Sequence, residues 1–241
     1  MRNNTKLFFD KVHNILRTLE DSPETVEELQ LNNFHTDEGD IIPVTDRNAV
    51  EYIWPTRDIP FVINDAISSR RSDIIRATKM ISTKTCLTFH ERTFETNYLH
   101  FKDSLGCASY VGFIGGAQSV FIGSECNVGN IVHELLHALG FYHEHTRLDR
   151  DSYISIKSHN IMPGAEKNFV KRAGDTLNVP YDTDSILHYG RLFFSINGLP
   201  TILPLHESKN MGQRLRLTES DIKRVRLRYD CGMYCKCRLV I

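Results

Sequence analysis

Residues 133–151, HELLHALGFYHEHTRLDRD, constrain this chain more than any other stretch. His133 and His137 are four residues apart, so on a helix their side chains stand one turn apart on one face. Glu134 sits beside the first. This is H-E-x-x-H, in which a helix offers two imidazole zinc ligands and a carboxylate placed as general base. His143 follows six residues after His137, and on a continued helix it would point away from the metal. Gly140 lies between them, and glycine accepts the left-handed backbone that ends a helix and turns the chain. A helix broken there swings His143 back as a third ligand. Three neutral histidines leave the fourth position for water, the open arrangement of a catalytic zinc rather than a closed structural one. A solvated helix with incidental histidines would need neither Gly140 nor His143, and a zinc-stabilised structural module would not need Glu134.

The remaining chain has room to build around such a helix. At 241 residues it forms one or two domains, and 41% apolar with 24% charged residues is an ordinary globular balance. Lys and Arg total 29 against 30 Asp and Glu, which suggests neither a nucleic-acid nor a membrane-surface partner. No apolar run approaches the ~18 residues needed to span a bilayer. Cys86, Cys107, Cys126 and Cys231 are scattered without C-x-x-C pairing, which argues against a zinc ribbon, and spacing alone leaves three connectivities open. Cys235 and Cys237 could pair together, bond another chain or remain free.

Periodicity supplies the elements. Residues 59–63, 86–89, 98–101 and 119–122 read as strands. Ile74, Ile75, Ala77, Met80 and Ile81 recur at helical spacing across 72–82, predicting a helix with one inward face. Thr218 and Asp221 form a capping box that opens a helix through Lys223, Val225 and Leu227. The glycine-rich run 107–118 lacks the Lys-Ser/Thr and following helix of a phosphate loop. Strands and helices mixed in the first half, with few regular elements after Gly140, give an α+β expectation. Residues 1–47 differ in character: a helical stretch around Phe8 to Leu19, an acidic run, then HTDEGDIIPVTDR.

The long form H-E-x-x-H-x-x-G-x-x-H is the metzincin pattern. Its continuation through Phe141, Glu144, Arg147, Asp149, Arg150 and Asp151 closely resembles the astacin family of zinc metalloendopeptidases, most like its short fish hatching-enzyme and nephrosin-type members. The resemblance implies an α+β, two-lobed zinc protease: an upper lobe of mixed sheet and helices over a mostly irregular lower lobe with a C-terminal helix. It implies one catalytic Zn2+ on His133, His137 and His143, Glu134 as base, and Tyr189 as a switchable extra ligand. Ser185, His188 and Tyr189 match the family's S-x-M-H-Y turn, while Leu187 replaces its methionine, a swap of similar volume that usually costs under ~1.5 kcal/mol. Activity is expected to survive it. Disulfides Cys86–Cys231 and Cys107–Cys126 are implied, and with them an oxidising compartment. The segment 107–118 would form the upper rim of the cleft and an edge strand that pairs with extended substrate.

By the same resemblance, residues 1–47 are a propeptide and 48–241 the catalytic domain. Gly39-Asp40 matches the end of the family's F-x-G-D inhibitory segment, with Asp37 in place of its phenylalanine, so Asp40 is the expected zymogen switch. Arg47-Asn48 resembles the maturation junction, which a trypsin-like protease would cut. Glu144 would then meet the freed ammonium of Asn48. Residues 1–20 hold only the short apolar run Leu7 to Phe9 and are not a signal peptide; the expectation is that the chain starts downstream of one. With no EGF-like or CUB-like appendage after Cys231, the expectation is a minimal, monomeric, secreted protease acting on egg-envelope or matrix proteins. The competing expectation is a catalytically silent binding protein of the same family.

Overall fold

The computed structural model describes residues 39–43 and 53–232. Asn48, Arg47, Cys235, Cys237 and the helix expected around Phe8 to Leu19 lie outside them.

Among the described residues eleven segments carry the architecture. In chain order they are β1 (Ile41–Ile42), β2 (Asp58–Ile63), α1 (Arg71–Ser82), β3 (Thr88–Glu91), β4 (Tyr98–Asp103), β5 (Ala108–Tyr110), β6 (Ala117–Ile122), α2 (Val128–Ala138), β7 (Ile154–Ile156), β8 (Ile202–Pro204) and α3 (Glu219–Arg228). The first six strands form one sheet in the order β1-β5-β6-β4-β2-β3. Every neighbouring pair runs parallel except β5 against β6. Central strands covered on both sides read as continuous apolar runs. Accordingly Ile59, Phe61, Leu99, Phe101, Val120 and Ile122 are essentially solvent-free.

Helix α1 packs Ile74, Ala77, Thr78 and Ile81 inward. Ile75, expected on that face, is 38% exposed: one residue on from Ile74 it is rotated by about 100°, and Thr78 takes its place in the buried stripe. The strand expected from Cys86 begins at Thr88, because Cys86 is tied to Cys231 and Leu87 turns into the core. Helix α3 opens on the expected capping box, Thr218 and Asp221 satisfying each other's backbone N–H. It lays Ile222 and Val225 against the same core as α2, whereas Leu227 faces outward at 44% exposure. The lower lobe holds a second core of Ile154, Phe169, Tyr181, Tyr189, Phe193, Phe194 and Ile202 beside the β7–β8 pair. The α+β, two-lobed expectation stands. Among the described residues no helix is long and apolar enough to cross a membrane.

One surface cluster makes a pH prediction. His90 Nδ1 lies 3.0 Å from Asp58 Oδ1 and His90 Nε2 lies 3.1 Å from Glu95 Oε1. Both ring nitrogens therefore donate, which requires the imidazolium. The hydrogen bond to Glu95, aided by Asp58, raises the His90 pKa above its ordinary 6.5 despite partial burial, and the bond from His90 holds Glu95 down at about 2. A raised histidine stabilises the fold fully below pH 6.5 and loses that contribution as pH climbs through its folded value. NMR titration of the His90 ring should give a midpoint above 6.5; one at or below it refutes the cluster.

Candidate functional site

Helix α2 is built for one position. Asn127 caps its start, accepting from Gly129 N–H at 2.7 Å and Asn130 N–H at 3.1 Å, while Asn130 Oδ1 accepts from Asn127 N–H. Residues 129–138 are all buried, as expected of a helix in the middle of a domain. Gly129 is obligatory: a Cβ there would sit 1.7 Å from the Arg214 carbonyl oxygen. At the other end Gly140 adopts φ +100°, with Gly140 N–H donating to His137 O at 2.8 Å and Phe141 N–H to Leu136 O at 3.1 Å. This pair is the Schellman motif, and only the left-handed residue makes it possible. The helix stops at Ala138, with Leu139 as its cap, and the chain doubles back.

That reversal brings the three histidines together. His133 Nε2 lies 2.9 Å from His137 Nε2 and 3.1 Å from His143 Nε2, and His137 Nε2 lies 3.2 Å from His143 Nε2. All three are at most 1% exposed. His133 Nδ1 meets the Ile186 carbonyl and His137 Nδ1 the Phe141 carbonyl, both at 2.7 Å. A carbonyl can only accept, so in both rings Nδ1 carries the proton and Nε2 presents a lone pair. Asp40 completes the cluster, with Oδ2 2.9 Å from His133 Nε2 and Oδ1 3.2 Å from His143 Nε2. Lone pairs and a carboxylate converging in a dry pocket repel unless a cation lies among them. Four donors around zinc at ~2.0–2.1 Å would stand about 3.3 Å apart, close to the spacings found. The donor set, three imidazoles and one carboxylate, fits a single zinc ion.

The electrostatics agree. Burial works to raise the Asp40 pKa, but its placement against His143 and His133 outweighs that and holds it well below the usual carboxylate range, so the group sits among the rings as a carboxylate. Burial drives His137 well below its ordinary value, helped by its two neighbouring rings, so it stays neutral. Asp40 stands at the head of β1, and Ser109 N–H of β5 donates to the Asp40 carbonyl at 3.0 Å. The strand expected to meet substrate is thus paired, through Ile41↔Ser109 and Ile42↔Tyr110, with the chain's own β1. It is an edge only when β1 is counted out.

The other expected residues fall as follows. Glu134 is buried on α2 directly after His133. Tyr189 is fully buried, its ring 4.6 Å from that of His143 and stacked between His145 at 3.8 Å and Phe193 at 4.3 Å. Leu187 packs in the core that includes α2, and its carbonyl accepts Glu144 N–H at 3.0 Å. Glu144 is buried, accepting from Arg224 at 2.5 Å, Arg147 at 3.1 Å and Asp182 N–H at 2.8 Å. Burial pushes its carboxyl up to about 7 against the pull of Arg224 and then Arg147. Glu144, Arg147 and Arg224 line a cavity of about 980 Å³. Both expected disulfides are formed, Cys86–Cys231 and Cys107–Cys126.

Sequence reasoning missed the groups that hold the end of α2. Trp54 Nε1–H donates to the Ala138 carbonyl at 3.1 Å and the Tyr229 hydroxyl to the Leu139 carbonyl at 3.0 Å. It also missed Arg224 and Arg147 on Glu144. The bonds of Trp54, Tyr229 and Arg224 join residues 80 or more apart, which no local pattern announces, whereas Arg147 stands only three residues after Glu144 and its spacing could have suggested the pair.

The family model described as Astacin, a peptidase family, matches residues 46–230. Zinc metalloproteinase nas-14 of Caenorhabditis elegans is 41% identical over 201 residues, covering 78% of this chain and 40% of that protein. Low choriolytic enzyme of Oryzias latipes is 39% identical over 210 residues, covering 80% of this chain and 78% of that protein. This chain therefore spans less than half the length of the worm relative. Among solved structures, High choriolytic enzyme 1, a hatching enzyme zinc-protease from Oryzias latipes, matches with a TM-score of 0.71 at 37% identity, covering 79% of this chain and 99% of that one.

Proposed function

The chain belongs to the astacin family of peptidases, and on that premise we propose that it is a zinc-dependent endopeptidase, secreted as a zymogen, that hydrolyses extracellular proteins of the egg-envelope or matrix kind. Zinc held by His133, His137 and His143 would lower the pKa of a bound water towards ~7 and polarise the scissile carbonyl. Glu134 takes the proton from the attacking water and passes it to the leaving amine. Tyr189 donates from its hydroxyl to the oxyanion, where charge develops only in the transition state. The closeness of both residues to the histidine cluster supports these roles.

Residues 1–47 are read as the propeptide and 48–241 as the catalytic domain, with Asp40 holding the place of the water. The observation that carries this reading is the Asp40 carboxylate lodged among three histidine Nε2 atoms. Cleavage after Arg47 by a trypsin-like protease frees Asn48, whose ammonium is proposed to enter the cavity beside Glu144. The two disulfides support an oxidising, extracellular setting.

Treatment of the full chain with trypsin should produce casein cleavage that phenanthroline abolishes. Absence of cleavage by folded, zinc-loaded material would mean a silent binding protein instead. Asp40→Asn should raise the activity of the uncut chain about tenfold to a hundredfold, the worth of one charge-assisted contact of ~1.5–3 kcal/mol. Equal activity of the two uncut forms would remove Asp40 from this role.

A further inference from the structure

The capping box of α3 does more than close a helix. Asp221 is 2% exposed, and its Oδ2 accepts Thr218 N–H at 2.9 Å, which is the cap. The same Oδ2 accepts Ile186 N–H at 3.1 Å, and Oδ1 accepts the Ser185 hydroxyl at 2.6 Å. Ser185 Oγ in turn accepts Leu187 N–H at 3.1 Å. The peptide unit joining Ile186 to Leu187 thus donates to Ser185 at its N–H and accepts His133 Nδ1–H at its C=O. Four groups form one continuous line: carboxylate, hydroxyl, peptide, imidazole.

We propose that Asp221, acting through Ser185, is a positioning residue for the metal centre. Hydrogen bonds in a chain polarise one another, each donor strengthening the next acceptor. A carboxylate hydrogen-bonded to a ligand imidazole fixes the ring and raises its basicity. Here one hydroxyl and one peptide stand between them, and the direction of every bond is the one that pushes electron density toward His133 Nε2. The same turn reaches a second histidine, because the Leu187 carbonyl holds the backbone N–H of Glu144, next to His143. Helix α3 therefore anchors the ring of one metal-binding residue and the chain beside another. A helix cap alone requires only Thr218 and Asp221, and leaves the bonds to Ser185 and Ile186 without purpose.

The proposal rests on the zinc reading of the histidines, and the test separates the two. On the full zinc-loaded chain, Ser185→Ala breaks the line and spares the cap, Ser185→Thr keeps the hydroxyl, and Thr218→Val weakens the cap and spares the line. Ser185→Ala should lower zinc affinity in chelator competition by about 10- to 100-fold and move the His133 Nδ1–H resonance. Ser185→Thr should restore both, and Thr218→Val should lower only the unfolding temperature. Unchanged affinity and resonance in Ser185→Ala, or equal changes in Thr218→Val, would overturn it. Should Ser185→Ala fail to fold, Asp221→Asn serves, its amide opposing the N–H groups it faces; wild-type affinity there overturns the proposal equally. A wild-type chain that takes up no zinc defeats the zinc reading itself, and the relay with it.

Discussion

Glu134→Gln should remove about 10²- to 10⁴-fold of the turnover of the trypsin-activated protein, the usual contribution of a placed general base, while zinc content stays that of the wild type. The substitution keeps size and shape on a fully packed helix, so folding is not the variable. Glutamine cannot take a proton from water at any working pH. His133 and His137 stand on either side of Glu134 along α2 and keep their carbonyl partners, Ile186 and Phe141. The measurement pairs peptide turnover with metal analysis of the same sample. Turnover close to that of the wild type would assign the base to another group. Loss of zinc together with activity would mean that Glu134 maintains the cluster rather than acts on water.

The largest stability effect should come from Cys86–Cys231. It joins residues 145 apart in sequence with Cα atoms 5.2 Å apart. In the chain-entropy account a loop of that length contributes about 5 kcal/mol, and removing such a bridge typically costs ~2–5 kcal/mol. The paired change Cys86→Ala with Cys231→Ala should lower the unfolding midpoint by about 4–20 °C for a domain of this size. The effect should reach the site as well. Tyr229, two residues before Cys231, donates to the Leu139 carbonyl and receives the Trp54 N–H. Freed of the disulfide, this clasp on the last carbonyls of α2 loosens, and with it the turn at Gly140 that delivers His143. The bridge lost in the paired change Cys107→Ala with Cys126→Ala closes a span of only 19 residues. Its removal should cost less, about 3 kcal/mol by the same account. A midpoint unchanged in the first variant, or lowered more in the second, would show that the long bridge does not tie the halves together.

The histidine cluster was legible because it is local. His133, Glu134, His137, Gly140 and His143 lie within one short stretch, and helical geometry plus one glycine suffices to bring the imidazoles together. Inward faces of helices were less so: Ile75 matched the periodicity and still faces solvent, because a stripe accepts some neighbouring positions and rejects others according to what packs opposite. The capping box at Thr218 was visible as a helix start, but its carboxylate's second allegiance was not. The bond from Ser185 to Asp221 spans 36 residues and that from His133 to Ile186 spans 53.

By itself the sequence determined the metal chemistry, the break in α2, the capping of α3 and the family, since each depends on residues in register along one element. Spacing alone left three cysteine pairings open and the family resemblance implied the one that forms. Only the tertiary structure decided that Arg224 and Arg147 hold Glu144, that β1 covers β5, and that Asp221 stands behind His133. Those contacts join segments whose mutual placement comes from burying two cores, a collective outcome of packing to which no single stretch of residues carries the key.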